Sequence, residues 1–276
     1  MFGPILIFDS GIGGLSIFDE IRKVLPDQDC CYLFDNARLP YGELEESVLI
    51  EGCVELICEQ AQRIAAELVI VACNSASTLV LPSLRSQLSI PVVGVVPAIK
   101  PAAKVSQARH IGLLATPGTI KRSYTLELIE QFADGCKVEL FGSSELVMLA
   151  EAKLAGDKLD LKLLESQLRP IKESQLDTLV LGCTHFPILA QEMQQVLGHG
   201  VKLLDSGVAI AQRVAYLLNE ISLERGQNRG DVRADKNKEK SLTAIYTTED
   251  ISAGLTTRLA EKGFTTIVSR SSANLG

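Results

Sequence analysis

The sequence predicts an α/β protein of two pseudo-symmetric three-layer domains, with largely parallel sheets and the candidate site in the cleft between them. Three observations carry that prediction. Short apolar, β-rich runs alternate with helix-sized amphipathic stretches, which is the rhythm of βαβ units. Polar and small residues collect where those runs end, and in open parallel sheets ligands gather at the carboxyl ends of the strands. A weak internal repeat relates the halves: Cys183 follows Cys73 by 110 positions, Thr116 follows Asp9 by 107, and Asp205 follows Val95 by 110.

Taken in order, "PILIFDSG", "CCYLFDNA", "ELVIVACN" and "IPVVGVVP" read as the strands of the first domain. "HIGLLATP", "CKVELFGS", "DTLVLGCT" and "VKLLDSG" read as those of the second. Helix-sized segments separate most of them. In 43–66, Leu49, Cys53, Leu56, Ile57, Ala61 and Ile64 fall on one helical face. "LTAIYTTED" reads as a further strand and "AGLTTRLAEKGF" as a helix, while the polar, charge-dense stretch 223–241 reads as an exposed loop. The repeat places one domain at 1–97 and 207–276 and the other at 98–206, so the chain leaves the first domain near Pro97 and later returns to it.

Composition narrows the function. The chain has 276 residues, 46% hydrophobic and 22% charged, enough for a large core. A net charge of −7 offers little to a phosphate backbone, which argues against nucleic-acid binding as the primary role. No apolar run is long enough to span a membrane, and the N-terminal stretch lacks the basic head of a signal peptide, so the expected location is the cytoplasm. Seven cysteines are an odd number and none are spaced CxxC; with only three histidines, neither a disulfide framework nor a metal site is expected.

Cys183, in "TLVLGCTHFPIL", could be a wall residue, a metal ligand or a reactive thiol, and its repeat partner Cys73 favours the last. Each closes an apolar strand, among polar residues and ahead of a candidate helix whose free N–H groups favour a thiolate. Two thiols in opposite protonation states, one on each side of a carbon, suit removal of a proton from one face and delivery to the other. Cys30, Cys31, Cys53, Cys58 and Cys136 read as small packing residues, and Lys100 and Lys121 as surface charges. Two rivals stand beside this reading. "GIGGLS" followed by Asp35 resembles a dinucleotide site with Ser16 at the third glycine, and a two-lobed clamp could bind an amino acid without turning it over.

Six ordered segments, "FDSGIGGLS", "DNARLPYG", "VACNSAS", "ATPGT", "LGCTHFP" and "LLDSG", resemble the glutamate racemases, a family of cofactor-independent amino-acid racemases. The resemblance runs from about residue 5 to 220. It implies an isomerase that interconverts L- and D-glutamate without cofactor or metal and supplies the D-isomer to peptidoglycan. By the same resemblance Cys73 and Cys183 are the acid/base pair, with Asp9 and His185 beside them. Asp9, Ser10, Tyr41, Gly42, Asn74, Ser75, Thr116, Thr119, Glu151, Thr184 and His185 would line the substrate. Ser75 stands where many members have threonine, and Met148, near Glu151, replaces an expected proline. Some relatives are activated by a cell-wall precursor and a few bind gyrase; the sequence leaves both open here, as it does monomer against homodimer.

Overall fold

The computed structural model describes residues 3–226 and 241–273. Most of the stretch 223–241 therefore lies outside the described residues, apart from the end of a helix that runs to Glu224 and Ser241 ahead of a strand.

Two parallel sheets form the molecule. The first contains β1 (Ile5–Asp9), β2 (Cys30–Phe34), β3 (Leu68–Val71), β4 (Val92–Gly94), β9 (Leu242–Tyr246) and β10 (Thr266–Ser269), in the order β10-β9-β2-β1-β3-β4. The second contains β5 (His110–Ala115), β6 (Lys137–Gly142), β7 (Thr178–Leu181) and β8 (Lys202–Leu204), in the order β6-β5-β7-β8. Every pairing within both sheets is parallel. β1, β2, β3 and β7 are buried along their whole length, as expected of strands covered on both faces.

Helices supply that cover. On one face of the first sheet lie α1 (Leu15–Val24), α10 (Gly207–Glu224) and α11 (Ala253–Glu261), packed on Ile5, Ile7, Tyr32 and Phe34. On the other lie α2 (Glu46–Arg63) and α3 (Asn74–Gln87), packed on Leu6, Phe8, Val69 and Val71. The second sheet is covered by α7 (Glu145–Leu154), α8 (Leu161–Glu173) and α9 (Ala190–Leu197) on one face. α4 (Ile99–Val105) and α6 (Ser123–Phe132) cover the other, and the short α5 (Pro117–Lys121) follows β5. α2 buries Leu49, Cys53, Leu56, Ile57 and Ala61, the face its periodicity predicts; Ile64 caps the helix and is half-buried.

The strand orders β2-β1-β3-β4 and β6-β5-β7-β8 are the same pattern. β1 corresponds to β5, β3 to β7 and β4 to β8, the correspondence that the sequence offsets imply. In each sheet the order reverses direction at the central pair, β1 with β3 and β5 with β7, and the carboxyl ends at such a switch point leave a crevice for a ligand. Asp9 and Cys73 close one pair, while Thr116 and Cys183 follow the other.

Candidate active site in the cleft

The two switch points face each other. Ser16 Oγ donates to the Thr184 carbonyl at 2.9 Å, and Thr184 Oγ1 reaches Asp9 Oδ2 at 3.5 Å. Farther along, Ser75 Oγ lies 2.9 Å from Thr116 Oγ1 and 3.1 Å from Thr119 Oγ1, which are themselves 2.9 Å apart. Hydroxyl groups of both domains thus meet across one cleft.

Cys73 occupies the N-cap of α3 and is 4% exposed. Its Sγ lies 3.6 Å from Ser10 Oγ. The helix start favours its thiolate as expected, through the Ala76 N–H, but other effects outweigh it in this cleft. Burial pushes the Cys73 thiol well above its ordinary value, the negative charge of Asp9 adds to the shift, and hydrogen bonds from the Ala76 N–H and Ser10 offset only part of it. Cys73 is therefore a thiol at neutral pH. Charge on Cys183 also opposes charge on Cys73, so the two sulfurs are near enough to feel one another.

Cys183 is 7% exposed, and its surroundings differ. A 3-10 helix, Phe186–Leu189, follows it with Pro187 in its first turn and runs directly into α9, so the expected helix is present but begins as a tight 3-10 turn. An imidazole stands beside the sulfur, with His185 Nδ1 3.6 Å from Cys183 Sγ and Nε2 2.6 Å from Glu151 Oε1. Burial disfavours the imidazolium, but the hydrogen bonds and charges of Cys183 and Glu151 outweigh it, holding the His185 pKa well above 6.5. The imidazolium form of His185 is thereby favoured, fixed between a carboxylate and a sulfur.

Asp9 is fully buried and accepts hydrogen bonds from Ser10 N at 2.8 Å and Gly14 N at 2.5 Å. Burial raises its pKa to about 6 against the lowering effects of His185 and the two backbone donors. Asn74, 3% exposed and next to Cys73, has a buried Nδ2 with no hydrogen-bond partner among the described residues. In a buried site that is a donor in want of an acceptor. Tyr41 turns its hydroxyl away to Asp35 and forms wall, and Gly42 packs so closely on Thr116 that a Cβ there would lie 2.5 Å from Thr116 Cβ.

The glycine run after β1 serves this packing and not a phosphate. A Cβ on Gly11 would lie 2.1 Å from Glu151 Oε1, and one on Gly13 would lie 2.3 Å from His185 Nδ1. Ile12 N donates to Glu151 Oε1 at 2.8 Å. The space a pyrophosphate would occupy is filled by the second domain. Asp35 likewise is spent within the fold, accepting from Arg38 Nε at 2.5 Å, Thr247 Oγ1 at 2.8 Å and the Tyr41 hydroxyl, so the dinucleotide reading fails at both ends. Cys30, Cys31 and Cys53 are buried in the core; Cys58 and Cys136 are half-buried, and Lys100 and Lys121 are exposed.

Two parallel-sheet domains whose switch points close on one polar cleft with a sulfur on either side define an enzyme of the racemase class. The chain belongs to the Asp/Glu/Hydantoin racemase family, whose model matches residues 16–214. It is 82% identical over 276 residues, the whole of both chains, to the glutamate racemase of Shewanella pealeana. Among solved structures it is similar to Escherichia coli glutamate racemase in complex with L-glutamate and the activator UDP-MurNAc-ala, with 45% identity, a TM-score of 0.87 and 98% of each chain covered. Glutamate racemase isoform RacE1 of Bacillus anthracis is 28% identical with a TM-score of 0.78, over 96% of each chain. Among the described residues no helix is long and apolar enough to cross a membrane.

Proposed function

We propose that this chain is a cytoplasmic glutamate racemase in which Cys73 and Cys183 exchange the α-proton on opposite faces of the substrate, supplying D-glutamate for peptidoglycan. The observation that carries the reading is the unlike pair of sulfurs at equivalent strand ends. Burial and Asp9 favour the thiol form of Cys73, while His185, favoured as imidazolium, stands 3.6 Å from Cys183 Sγ. In one direction Cys183 Sγ, as thiolate, takes the α-proton while the Cys73 thiol delivers its own to the other face; in the reverse direction the roles exchange. The carbanion-like state between them is held by fixed donors in a dry cleft.

The remaining groups have matching tasks. Asn74 Nδ2 and the hydroxyls of Ser75, Thr116 and Thr119 offer donors to the carboxylates, and the Asp9 carboxylate with Ser10 and Thr184 offers acceptors to the ammonium. Glu151 orients His185 through Nε2. Gly42 leaves room for Thr116, and Tyr41 walls that end. The chain then works as domains 1–97 with 207–276, and 98–206, closing over glutamate. Because the E. coli relative is described with UDP-MurNAc-ala as activator, a precursor of that kind is the proposed regulator here as well.

The test is incubation with L-glutamate in deuterated water without cofactor, following optical rotation and α-deuterium together. The wild-type chain should lose optical signal as deuterium enters the product, and UDP-MurNAc-ala should raise the rate. Cys73→Ser and Cys183→Ser should each lower kcat at least about a thousandfold, since each removes one of two obligatory proton carriers. Cys58→Ser should match wild type. Equal activity in all three variants would end the two-thiol reading, and thermal stabilisation by glutamate without turnover would favour the clamp.

A further inference from the structure

Arg122 lies outside the residues assigned to the cleft, at the elbow where α5 ends and α6 begins. It belongs to the second domain, yet the residue is only 8% exposed and its guanidinium lies against the first. Nη1 donates to the Ser75 carbonyl in the first turn of α3, and to Thr78 Oγ1 at 2.5 Å. Nε stands 3.5 Å from Oε1 of Glu46 on α2, in a loose ion pair. One side chain therefore ties α2 and α3 of one domain to the α5–α6 elbow of the other. Burial lowers the guanidinium's pKa while Glu46 and Cys73 push it back up, and an arginine stays charged under such a shift.

The attachment point matters because of what else Ser75 does. Its hydroxyl meets Thr116 and Thr119 from the second domain. Its backbone carbonyl is held by Arg122 from the same domain. The residue is thus gripped at both ends, and the turn so gripped begins at Cys73 and includes Asn74 with its free amide. The elbow is braced in turn: Thr125 Oγ1 donates to the Thr119 carbonyl at 2.7 Å, and Thr125 N to the Arg122 carbonyl at 3.0 Å. A buried charge with one partner removed is costly, so an arginine in this place favours the arrangement in which its acceptors are present, namely the closed cleft.

We infer that Arg122 is a positioning residue: by clamping the first turn of α3 to the α5–α6 elbow it pre-closes the cleft, so that glutamate binds to a site already assembled. This rests on the glutamate racemase reading above. Without the clamp the closed form is a smaller fraction of the free enzyme, and apparent affinity falls by that fraction while the closed complex itself is unchanged. The expected signature is a rise in KM with kcat retained.

The experiment measures glutamate racemisation in both directions for wild type, Arg122→Gln, Arg122→Lys and Thr78→Val, at a temperature where each is folded by circular dichroism. Arg122→Gln should raise KM at least tenfold with kcat within about threefold of wild type, and Arg122→Lys should recover most of the loss. Thr78→Val keeps the arginine and removes one acceptor, so it should raise KM about two- to fivefold, and it carries the test alone if Arg122→Gln does not fold. An unchanged KM in the folded variants overturns the inference, as does a loss confined to kcat. A wild-type enzyme that fails to racemise glutamate would instead overturn the function itself, so the two failures are distinguishable.

Discussion

Asp9 carries a cost that its function explains. Its carboxyl is buried and titrates near 6 where an unfolded chain would titrate near 3.8, so the folded state binds a proton more tightly than the unfolded state does. The sign follows from linkage. This group favours the fold most below about pH 3.8, that advantage shrinks as pH rises towards 6, and above 6 the charged carboxylate is a constant burden of up to about 3 kcal/mol. Asp9→Asn should therefore raise the unfolding free energy at pH 8 relative to wild type while abolishing most racemisation. The gain should diminish as the pH is lowered from 7 towards 4, as urea titrations at several pH values would show. A gain that stayed constant across this range would mean that the burden lies elsewhere. The need for a buried acceptor of the substrate ammonium accounts for keeping a group that the fold would be more stable without.

At the scale of elements, the loop between β1 and α1 couples the two domains by lacking side chains. Gly13→Ala would drive a Cβ against the His185 ring, which is 2% exposed and held by Glu151 and Cys183. Displacement of that ring should lower kcat/KM about a hundredfold. Gly200→Ala, where an added Cβ meets nothing within 4 Å, is the control and should leave it unchanged. Nine of the ten strands among the described residues were legible as apolar runs; in β1, β2, β3 and β7 burial along the whole strand makes the pattern strongest. β10 was not: "TIVS" is a short, partly exposed edge strand with no such run. The glycine loop was legible as a strand-to-helix turn, but its spacing alone could not say whether a phosphate or a neighbouring domain fills the gap. The same limit hid Arg122 and the internal use of Asp35. A buried ion looks like a surface ion until the partners that bury it, here Ser75, Thr78 and Thr247, are brought in by the fold.

For the whole molecule, the decisive feature is that the chain crosses to the second sheet and comes back. α10, which follows β8, lays Ile210, Ala211, Val214 and Leu218 on the first sheet's core. Leu218→Ala should therefore cost about 2–5 kcal/mol. A urea transition monitored by circular dichroism should lose midpoint in the part of the signal that reports the first domain, whose core this helix completes. The repeat made the twofold plan readable from the offsets of the strand-end residues, whereas the differences between the halves needed coordinates. Those differences have a consequence of their own. Two identical half-length chains meeting about a symmetry axis would surround both sulfurs with the same neighbours and give them equal hold on a hydrogen. Joining the halves in a single polypeptide lifts that equality, so an imidazole can be set beside Cys183 while Ser10 stands beside Cys73. Mirror-image reactants then meet an instrument whose own two hands need not match.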